Sequence, residues 1–442
     1  MINEKKFVET VISSSWIFTA NSDDQLLENH CLVIDGGVIV DIVESDSVFN
    51  IYQANEVYQL TDQLLIPGLV NAHTHLAMSL LKGYADDMDL SVWLNKHIWP
   101  AEKSLVSPEF VSDGSRLAMA EMLKGGITTF NDMYFYPQAT AEVSEEVGMR
   151  ANIGLVVLDF PTVYASDSQD YLNKGLNFRD TWRDNSLITT SIAPHAPYSV
   201  SDESFCMIGT YANQLQMTIH THLHETEAEI LESLKKFNMT PIQRLDKLGI
   251  LGPNVSAAHC VHLCATDINI LEKNQVNVIH NPSSNMKLGS GLANIKALCE
   301  KGVNIGLGSD SSASNNRLDI ITEIRSTLLL HKGKNQDAEL LKPLDAIKMA
   351  TINSAKAIGL DGKIGSIEIG KRADITAINL NSIECQPCFD PLSTFVYSAD
   401  KNSVSHVWVD GVIKVKKNLL VNIDEDKLLH NAKLWQTKIR KI

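Results

Sequence analysis

Between residues 66 and 360 short apolar runs alternate with longer stretches of helical periodicity, and nearly every apolar run ends in a polar group. The strand-like runs are "LVNAHTH", "ITTFND", "NIGLVVLDF", "LITTSIAPH", "MTIHTH", "NVSAAH", "VNVIH" and "VNIGLGSD". Amphipathic stretches such as "PEFVSDGSRLAMAEMLKGG", "TPIQRLDKLGI", "ANIKALCEKG" and "LDIITEIRSTLLLHKG" separate several of them. Such alternation marks parallel strands joined by helical crossovers. Eight of them predict a closed (β/α)₈ TIM barrel, an α/β fold whose strand carboxyl ends all open on one face. At those ends stand His73 and His75, Asp132, Asp159, His195, His222, His259, His280 and Asp310. Met singly, each reads as a satisfied core histidine or a helix cap. Repeated on eight strands, they predict a site at the rim.

The flanks read differently. Turn residues punctuate β-rich runs in "VETVISSSWIFTA", "HCLVIDGGVIVDIVE" and "VYQLTDQLLIPG", and again in "GSIEIGKRADITAINL" and "SVSHVWVDGVIKVKK". Gly36-Gly37 and Asp410-Gly411 are hairpin signals. The expected organisation is a small β-sandwich domain built from both ends, residues 1–65 and 366–442 with a terminal helix. The catalytic barrel, 66–365, lies between them.

Charge narrows the partners. Lys and Arg number 38 against 53 Asp and Glu, a net charge of −15, and no basic cluster interleaves with aromatics. Nucleic acid is therefore not an expected partner. A membrane is not expected either, since no run of about 18 uncharged apolar residues occurs. The opening "MINEKKFVET" lacks the apolar core of a secretion signal. Seven cysteines, an odd and scattered number, do not form a disulfide framework. Neither Cys385/Cys388 nor Cys260/Cys264 has a partner pair at zinc-ribbon spacing. Reduced thiols and a cytoplasmic location are expected.

His73 and His75 stand two apart on an apolar strand, so both side chains point to one face. Neutral imidazole is the usual nitrogen ligand of zinc and related ions. In "HTHLHETEAEI" histidines at 220, 222 and 224 are followed at once by Glu225. Same-face residues on a strand lie about 6.6 Å apart. With His222 level with the first pair, His220 falls one layer deeper and His224 beyond the strand. His222 is the expected ligand, with His220 and His224 as alternatives. Asp310, after glycines at 306 and 308, adds a hard carboxylate from the eighth strand. His259 is either a fourth imidazole ligand or a partner of a bound water, and His262 lies in the following loop. Three histidines and one aspartate leave room on an ion for water. Glu225 stands where a turn brings its carboxylate over that water, positioned to move a proton to the substrate.

The stretches "PGLVNAHTHL", "HLHETEAE", "AAHCVHL" and "LGSDSSASNN" resemble the strand 1, 5, 6 and 8 signatures of the metal-dependent amidohydrolase superfamily. Within it, "SVWLNKHIWPAE", "APHAPYSVS", "NPSSNMKLGSG" and "GSDSSASNNRLDI" resemble the 5′-methylthioadenosine/S-adenosylhomocysteine deaminase branch. That branch is similar to the triazine chlorohydrolases and guanine deaminases. The resemblance spans nearly the whole chain. It implies one divalent metal ion per subunit, expected to be zinc, on His73, His75, His222 and Asp310. It implies that Glu225 shuttles protons while His259 and Asp310 hold and help deprotonate the water. It places Glu102, His195 and Trp93 at the substrate, Glu102 against the ribose hydroxyls. The implied partner is a purine nucleoside, deaminated at C6 of adenine to an inosine product and ammonia; a homo-oligomer stays open.

Two features qualify that picture. Glu102 also reads as the first-turn acid of a helix after Pro100. A homocysteine carboxylate calls for a cation, typically Arg, yet Arg179 and Arg183 in "NFRDTWRDN" read as surface helix residues. The stretch "VVLDFPTVYASDSQDYLNKG" instead offers apolar and aromatic groups suited to a methylthio tail. The expected preference is 5′-methylthioadenosine, with S-adenosylhomocysteine and adenosine weaker. Rival readings are a triazine chlorohydrolase or aminohydrolase, a guanine deaminase, and a scaffold without chemistry.

Overall fold

Two eight-stranded sheets carry the fold of the chain, a computed structural model in which residues 5–442 are described. Residues 1–4, the start of the expected first β segment, lie outside the described residues. In chain order the strands begin with β1 (Lys6–Phe18), β2 (Leu26–Asp35), β3 (Val38–Glu44) and β4 (Tyr52–Pro67). The barrel strands follow: β5 (Leu69–Thr74), β6 (Ile127–Tyr134), β7 (Arg150–Val157), β8 (Ile188–Pro194), β9 (Thr218–Leu223), β10 (Val255–His259), β11 (Asn277–His280) and β12 (Ile305–Leu307). The chain returns to the first sheet with β13 (Ile375–Asn379), β14 (Val404–Val409), β15 (Val412–Lys416) and β16 (Leu419–Leu420).

The eight runs picked out by alternation are the eight barrel strands, in sequential order and all parallel. Their residues are buried almost throughout, as expected of strands covered on both faces. Closure falls between β12 and β5, where Asp310 N donates to His73 O at 2.9 Å and Thr74 bridges Asp310. Gly308 permits it: a Cβ there would lie 2.8 Å from His73 Cβ and 3.0 Å from its backbone nitrogen. Helices such as Pro108–Lys124, capped by Ser107 and started by Pro108, cover the outside.

The β domain joins both ends of the chain, as the β-rich flanks predict, in one hydrogen-bonded mixed sheet ordered β16-β15-β14-β13-β4-β1-β2-β3. β4 pairs with β13 antiparallel, Leu64 to Pro67 against Ile375 to Ile378. Asp410-Gly411 turns β14 into β15 with both residues at positive φ, 55° and 78°, the conformation of a type I′ hairpin turn. Only the second half of "GSIEIGKRADITAINL" is a strand. Its first half is spent on loop contacts, Ile367 N to Thr19 O and Gly370 N to Ile39 O. Arg150 of β7 locks the two units together, giving Asp374 a bidentate pair at 2.7 and 2.9 Å and reaching Asp410 at 2.8 Å. The terminal helix Glu425–Ile439 closes back on helix Pro108–Lys124, with Trp435 Nε1 donating to Asp113 at 2.8 Å. Among the described residues no helix is long and apolar enough to cross a membrane, and all seven cysteines are unpaired.

Candidate metal centre and active site

At the carboxyl ends of β5, β9 and β12 the donor atoms of His73, His75, His222 and Asp310 lie within 4.8 Å of one another. Among the described residues this is the one such cluster of ligating side chains. His75 Nδ1 donates to Met133 O and His222 Nδ1 to His195 O, both at 2.7 Å. Their Nε2 atoms therefore carry lone pairs, and these face each other at 3.2 Å. His73 Nε2 is buried with no hydrogen-bond partner, and Asp310 Oδ1 stands 3.3 Å from it and from His75 Nε2. Burial pushes the His73 imidazole down to about 4, and burial beside His195 holds that of His222 well below its ordinary value. At His75 burial is outweighed by Asp310 and the Met133 carbonyl, which raise the imidazole's affinity for positive charge. Three imidazoles and a carboxylate converging on one point call for a cation among them. Tetrahedral ligands about 2.0–2.1 Å from an ion are themselves ~3.3 Å apart, so the donor set fits a divalent ion.

The three histidines of "HTHLHE" divide as their strand positions dictate. His222, level with Ala258 of β10, is the ligand. His220 lies one layer below and takes a 2.7 Å hydrogen bond from His73 Nδ1. Its own Nδ1 donates to Ser256 Oγ at 2.8 Å, which leaves Nε2 to accept and fixes the His73 tautomer. His224, past the strand at φ 55°, is structural: its ring accepts from Ile242 N and donates to His262 O. His262 is in the following loop, against Ser290 O at 2.6 Å.

Around this centre the acid–base groups are themselves held. Asp310 Oδ2 accepts from Ser284 Oγ at 2.6 Å and Ser314 Oγ at 2.9 Å, which turns Oδ1 toward the imidazoles. His259 Nδ1 donates to Asn285 Oδ1 at 2.8 Å, leaving its Nε2 free to accept, 3.8 Å from Glu225 Oε2. Glu225 is buried, and burial pushes its carboxyl up. His224, His259, Cys260 and Asp310 all have positive φ. Strained backbone of this kind concentrates where side chains must be aimed into a site.

A cavity of about 550 Å³ opens over these groups, lined by His75, His195, His222, Glu225, His259 and Asp310 at its floor. Glu102 and Trp93 stand on its wall. Glu102 is indeed in the first turn of helix Trp99–Leu105, yet it accepts from Tyr134 Oη at 2.7 Å, and burial pushes it up to about 7. Trp93 opens a π-helical turn, Trp93–Ile98, and its buried indole N–H has no partner among the described residues. His195 contacts Ser199 Oγ through Nδ1 at 2.9 Å, and burial lowers it to about 3. Beyond them the walls are mostly apolar, with Leu94, Trp99, Phe135, Leu158, Phe160 and Val163, and Lys103 is the one lysine among the lining residues.

Three strand-end residues do not reach the cavity. Asp132 accepts from Leu76 N at 2.8 Å and Thr74 Oγ1, tying β6 to the loop after β5. Asp159 caps the turn at Ser201 and Ser204, and His280 pairs with His331 inside the wall at 3.2 Å. Tyr134, Asn285, Ser284 and Ser314 are site residues that the sequence reading missed. Tyr134 had a signal, two positions past Asp132 on a strand and so on the same face. The other three sit in the short helices Pro282–Lys287 and Ser312–Asn315 after β11 and β12, too short for periodicity to announce.

The amidohydrolase family model matches residues 64–414 of this sequence. The chain belongs to the amidohydrolase family. It is 43% identical over 439 residues to a 5-methylthioadenosine/S-adenosylhomocysteine deaminase of Saccharophagus degradans, covering 99% of this chain and 98% of that one. An adenosine deaminase of Xanthomonas campestris, solved with bound zinc, is similar at a TM-score of 0.98 and 38% identity, over 99% and 100% of the two chains. Atrazine chlorohydrolase of Arthrobacter aurescens, complexed with zinc, shares the amidohydrolase fold at a TM-score of 0.89 but only 22% identity, over 96% and 99%.

Proposed function

We propose that this amidohydrolase removes the 6-amino group of 5′-methylthioadenosine by metal-dependent hydrolysis, with S-adenosylhomocysteine and adenosine as weaker substrates. The carrying observation is the cavity itself: a metal centre with a buried glutamate at one end and a mostly apolar wall at the other, where exposed Lys103 is the one lysine and no arginine lines the cavity among the described residues. Near-complete alignment with methylthioadenosine/S-adenosylhomocysteine deaminases supports the nucleoside class. The small share of identity with the triazine hydrolases gives their chemistry no comparable support.

His73, His75, His222 and Asp310 hold the ion, expected to be zinc as in the Xanthomonas relative. When bound, a divalent ion lowers the pKa of a water from 15.7 toward about 7, making a nucleophile available at neutral pH. His259, with Nδ1 committed to Asn285, accepts from that water through Nε2 and aims it. Glu225 takes the water's proton and delivers it to N1 of the purine as oxygen adds to C6. The same carboxylate then takes the second proton from the hydroxyl now on C6 and passes it to the departing amine, so that the C6 oxygen becomes a carbonyl and ammonia leaves. A buried carboxyl with a raised affinity for protons suits both halves of that transfer. Glu102, with one oxygen already held by Tyr134, takes the ribose hydroxyls. The indole N–H of Trp93 and the ring of His195 offer polar contacts to the purine. The methylthio group lies against Leu158, Phe160 and Val163. We place the enzyme in the cytoplasm, on the strength of seven unpaired cysteines, with 66–365 as its catalytic unit.

The test is ammonia release from 5′-methylthioadenosine, S-adenosylhomocysteine, adenosine and guanine, beside chloride release from a chlorotriazine. The expected kcat/KM is highest for 5′-methylthioadenosine, with adenosine lower by about ten- to a hundredfold for the lost apolar contact. A larger kcat/KM for S-adenosylhomocysteine overturns the preference. Turnover of the triazine alone overturns the reaction.

A further inference from the structure

Glu229 is a buried carboxylate, 8% exposed, that makes no ion pair among the described residues. Burial pushes its carboxyl up to about 8, against the pull of its backbone hydrogen bonds, so the donors that hold it matter. It occupies the third position of helix Glu227–Phe237, whose N-cap is Thr226. A glutamate there ordinarily turns back onto the N–H of the N-cap residue. Glu229 reaches further. Its Oε1 accepts from His224 N at 3.2 Å and its Oε2 from Glu225 N at 2.9 Å. His224 is left-handed at φ 55°, so the two successive N–H groups form a concave anion-binding nest, and the Glu229 carboxylate fills it. The far side of the same turn is held by Val261 N and His262 N, which donate to His224 O at 2.9 and 3.1 Å.

We propose that Glu229 is a positioning residue for Glu225: its carboxylate fixes the backbone of the 224–225 turn, and through it the aim of the proton-carrying side chain. The inference rests on the role given to Glu225 above. The Glu225 side chain has little else to hold it, since its hydrogen bond from Ser290 Oγ is long at 3.5 Å and His259 Nε2 is 3.8 Å away. Its backbone therefore sets its reach. A misplacement of about 1 Å in a reacting group costs on the order of 10²-fold in rate. The outer side of Glu229 meets a crevice of about 20 Å³ lined by Tyr198, Ser233 and Arg244, so a truncated side chain leaves a space that small solutes can enter.

The experiment compares Glu229→Ala, Glu225→Gln and the double variant in the metal-loaded enzyme. Glu229→Ala should lose about 10²-fold in kcat, with KM and metal content nearly unchanged. Formate should restore part of that kcat saturably, by placing a carboxylate back in the nest. In the Glu225→Gln background the same truncation should cost little more, because the group it aims is already disabled. A full additional loss in the double variant, a drop confined to metal content or Tm, or no response to formate would overturn the proposal. Near-normal turnover by Glu225→Gln would overturn the parent reading and this proposal with it, whereas normal turnover by Glu229→Ala alone sinks only this one. Glu229→Gln, equal in volume, guards against misfolding: it can accept one N–H but turns an amide donor on the other, so its kcat should fall between the wild type and Glu229→Ala.

Discussion

The two ends of the active-site cavity are built in different ways. At the metal end every ligand comes from a barrel strand or within three residues of its carboxyl end, and each has its non-coordinating side committed: His73 to His220, His75 to Met133 O, His222 to His195 O, Asp310 to two serines. At the tail end the walls come from segments beyond the strands, Trp99 at the start of helix Trp99–Leu105 and Leu158 to Val163 in the loop after β7. Trp99, Phe160 and Val163 there are partly exposed; the rings of Trp99 and Phe160 meet edge to face with centroids 6.3 Å apart, and Val163 O accepts from Tyr136 Oη at 2.9 Å. Chemistry is thus placed on the interlocked frame of strand ends and substrate choice on more exposed walls beyond them, the division that (β/α)₈ barrels favour. Damage to the frame should abolish turnover for every substrate. Changes to the walls should only reorder the substrates.

The largest effect tests the frame. His73→Ala removes a fully buried ligand whose partner His220 cannot reach the ion, being one layer down. Metal content should fall well below one equivalent per chain by elemental analysis. Deaminase activity should drop beyond the roughly 10²–10⁴-fold that losing a proton-transfer group alone causes. A variant that keeps its ion stoichiometrically would show that the four donors do not form the site.

A smaller effect tests the walls. Val163 is 40% exposed at the tail end, and Val163→Arg puts a guanidinium where an extended homocysteine carboxylate would arrive. A partly exposed ion pair is worth up to about 1 kcal/mol, so the ratio of kcat/KM for S-adenosylhomocysteine over 5′-methylthioadenosine should rise roughly three- to fivefold. Metal content should not move. An equal fall for both substrates would mean that position 163 belongs to the frame after all.

How much of this was legible follows the same division. The barrel could be read because strands covered on both faces leave near-continuous apolar runs, and the ligands could be read because strand period places them on one rim. His222 could be ranked above His220 and His224 from spacing alone. The supporting groups could not. Asn285 reaches His259 across 26 residues, and Ser284 reaches Asp310 across the same interval, contacts that depend on how the short helix after β11 settles against the ends of β10 and β12. Asp132, Asp159 and His280 look like ligands in sequence because strand ends are also where loops are tied down, and tying is what they do. The single sheet of the β domain was hidden for a related reason: β4 is long enough to pair with β1 and β13 at once, and length along one strand says nothing of its two neighbours.

The smallest effect concerns what lies under the frame. Glu323 of helix Ile320–Asn335 is fully buried, accepting from Ser283 N at 3.1 Å and Asn315 Nδ2 at 2.9 Å, and so ties together the short helices after β11 and β12 that carry Ser284 and Ser314. Burial pushes its carboxyl up from 4.5 to about 7, against the opposing pull of those two donors. A folded-state pKa above the unfolded value means the folded chain holds the extra proton between those limits. The stabilising contribution of this group is then full below about pH 4.5 and is lost as pH rises through 7, with a slope of at most about 1.4 kcal/mol per pH unit. Glu323→Gln removes the titration while keeping the volume. The Tm of the wild type relative to this variant should therefore decline between pH 5 and pH 8, read by scanning calorimetry on the metal-loaded protein, while the substrate ratio set by the tail walls stays constant over the same range. A difference in Tm that is flat with pH would mean that Ser283 and Asn315 outweigh burial and keep Glu323 charged in the folded state. The metal end would then rest on a buried anion.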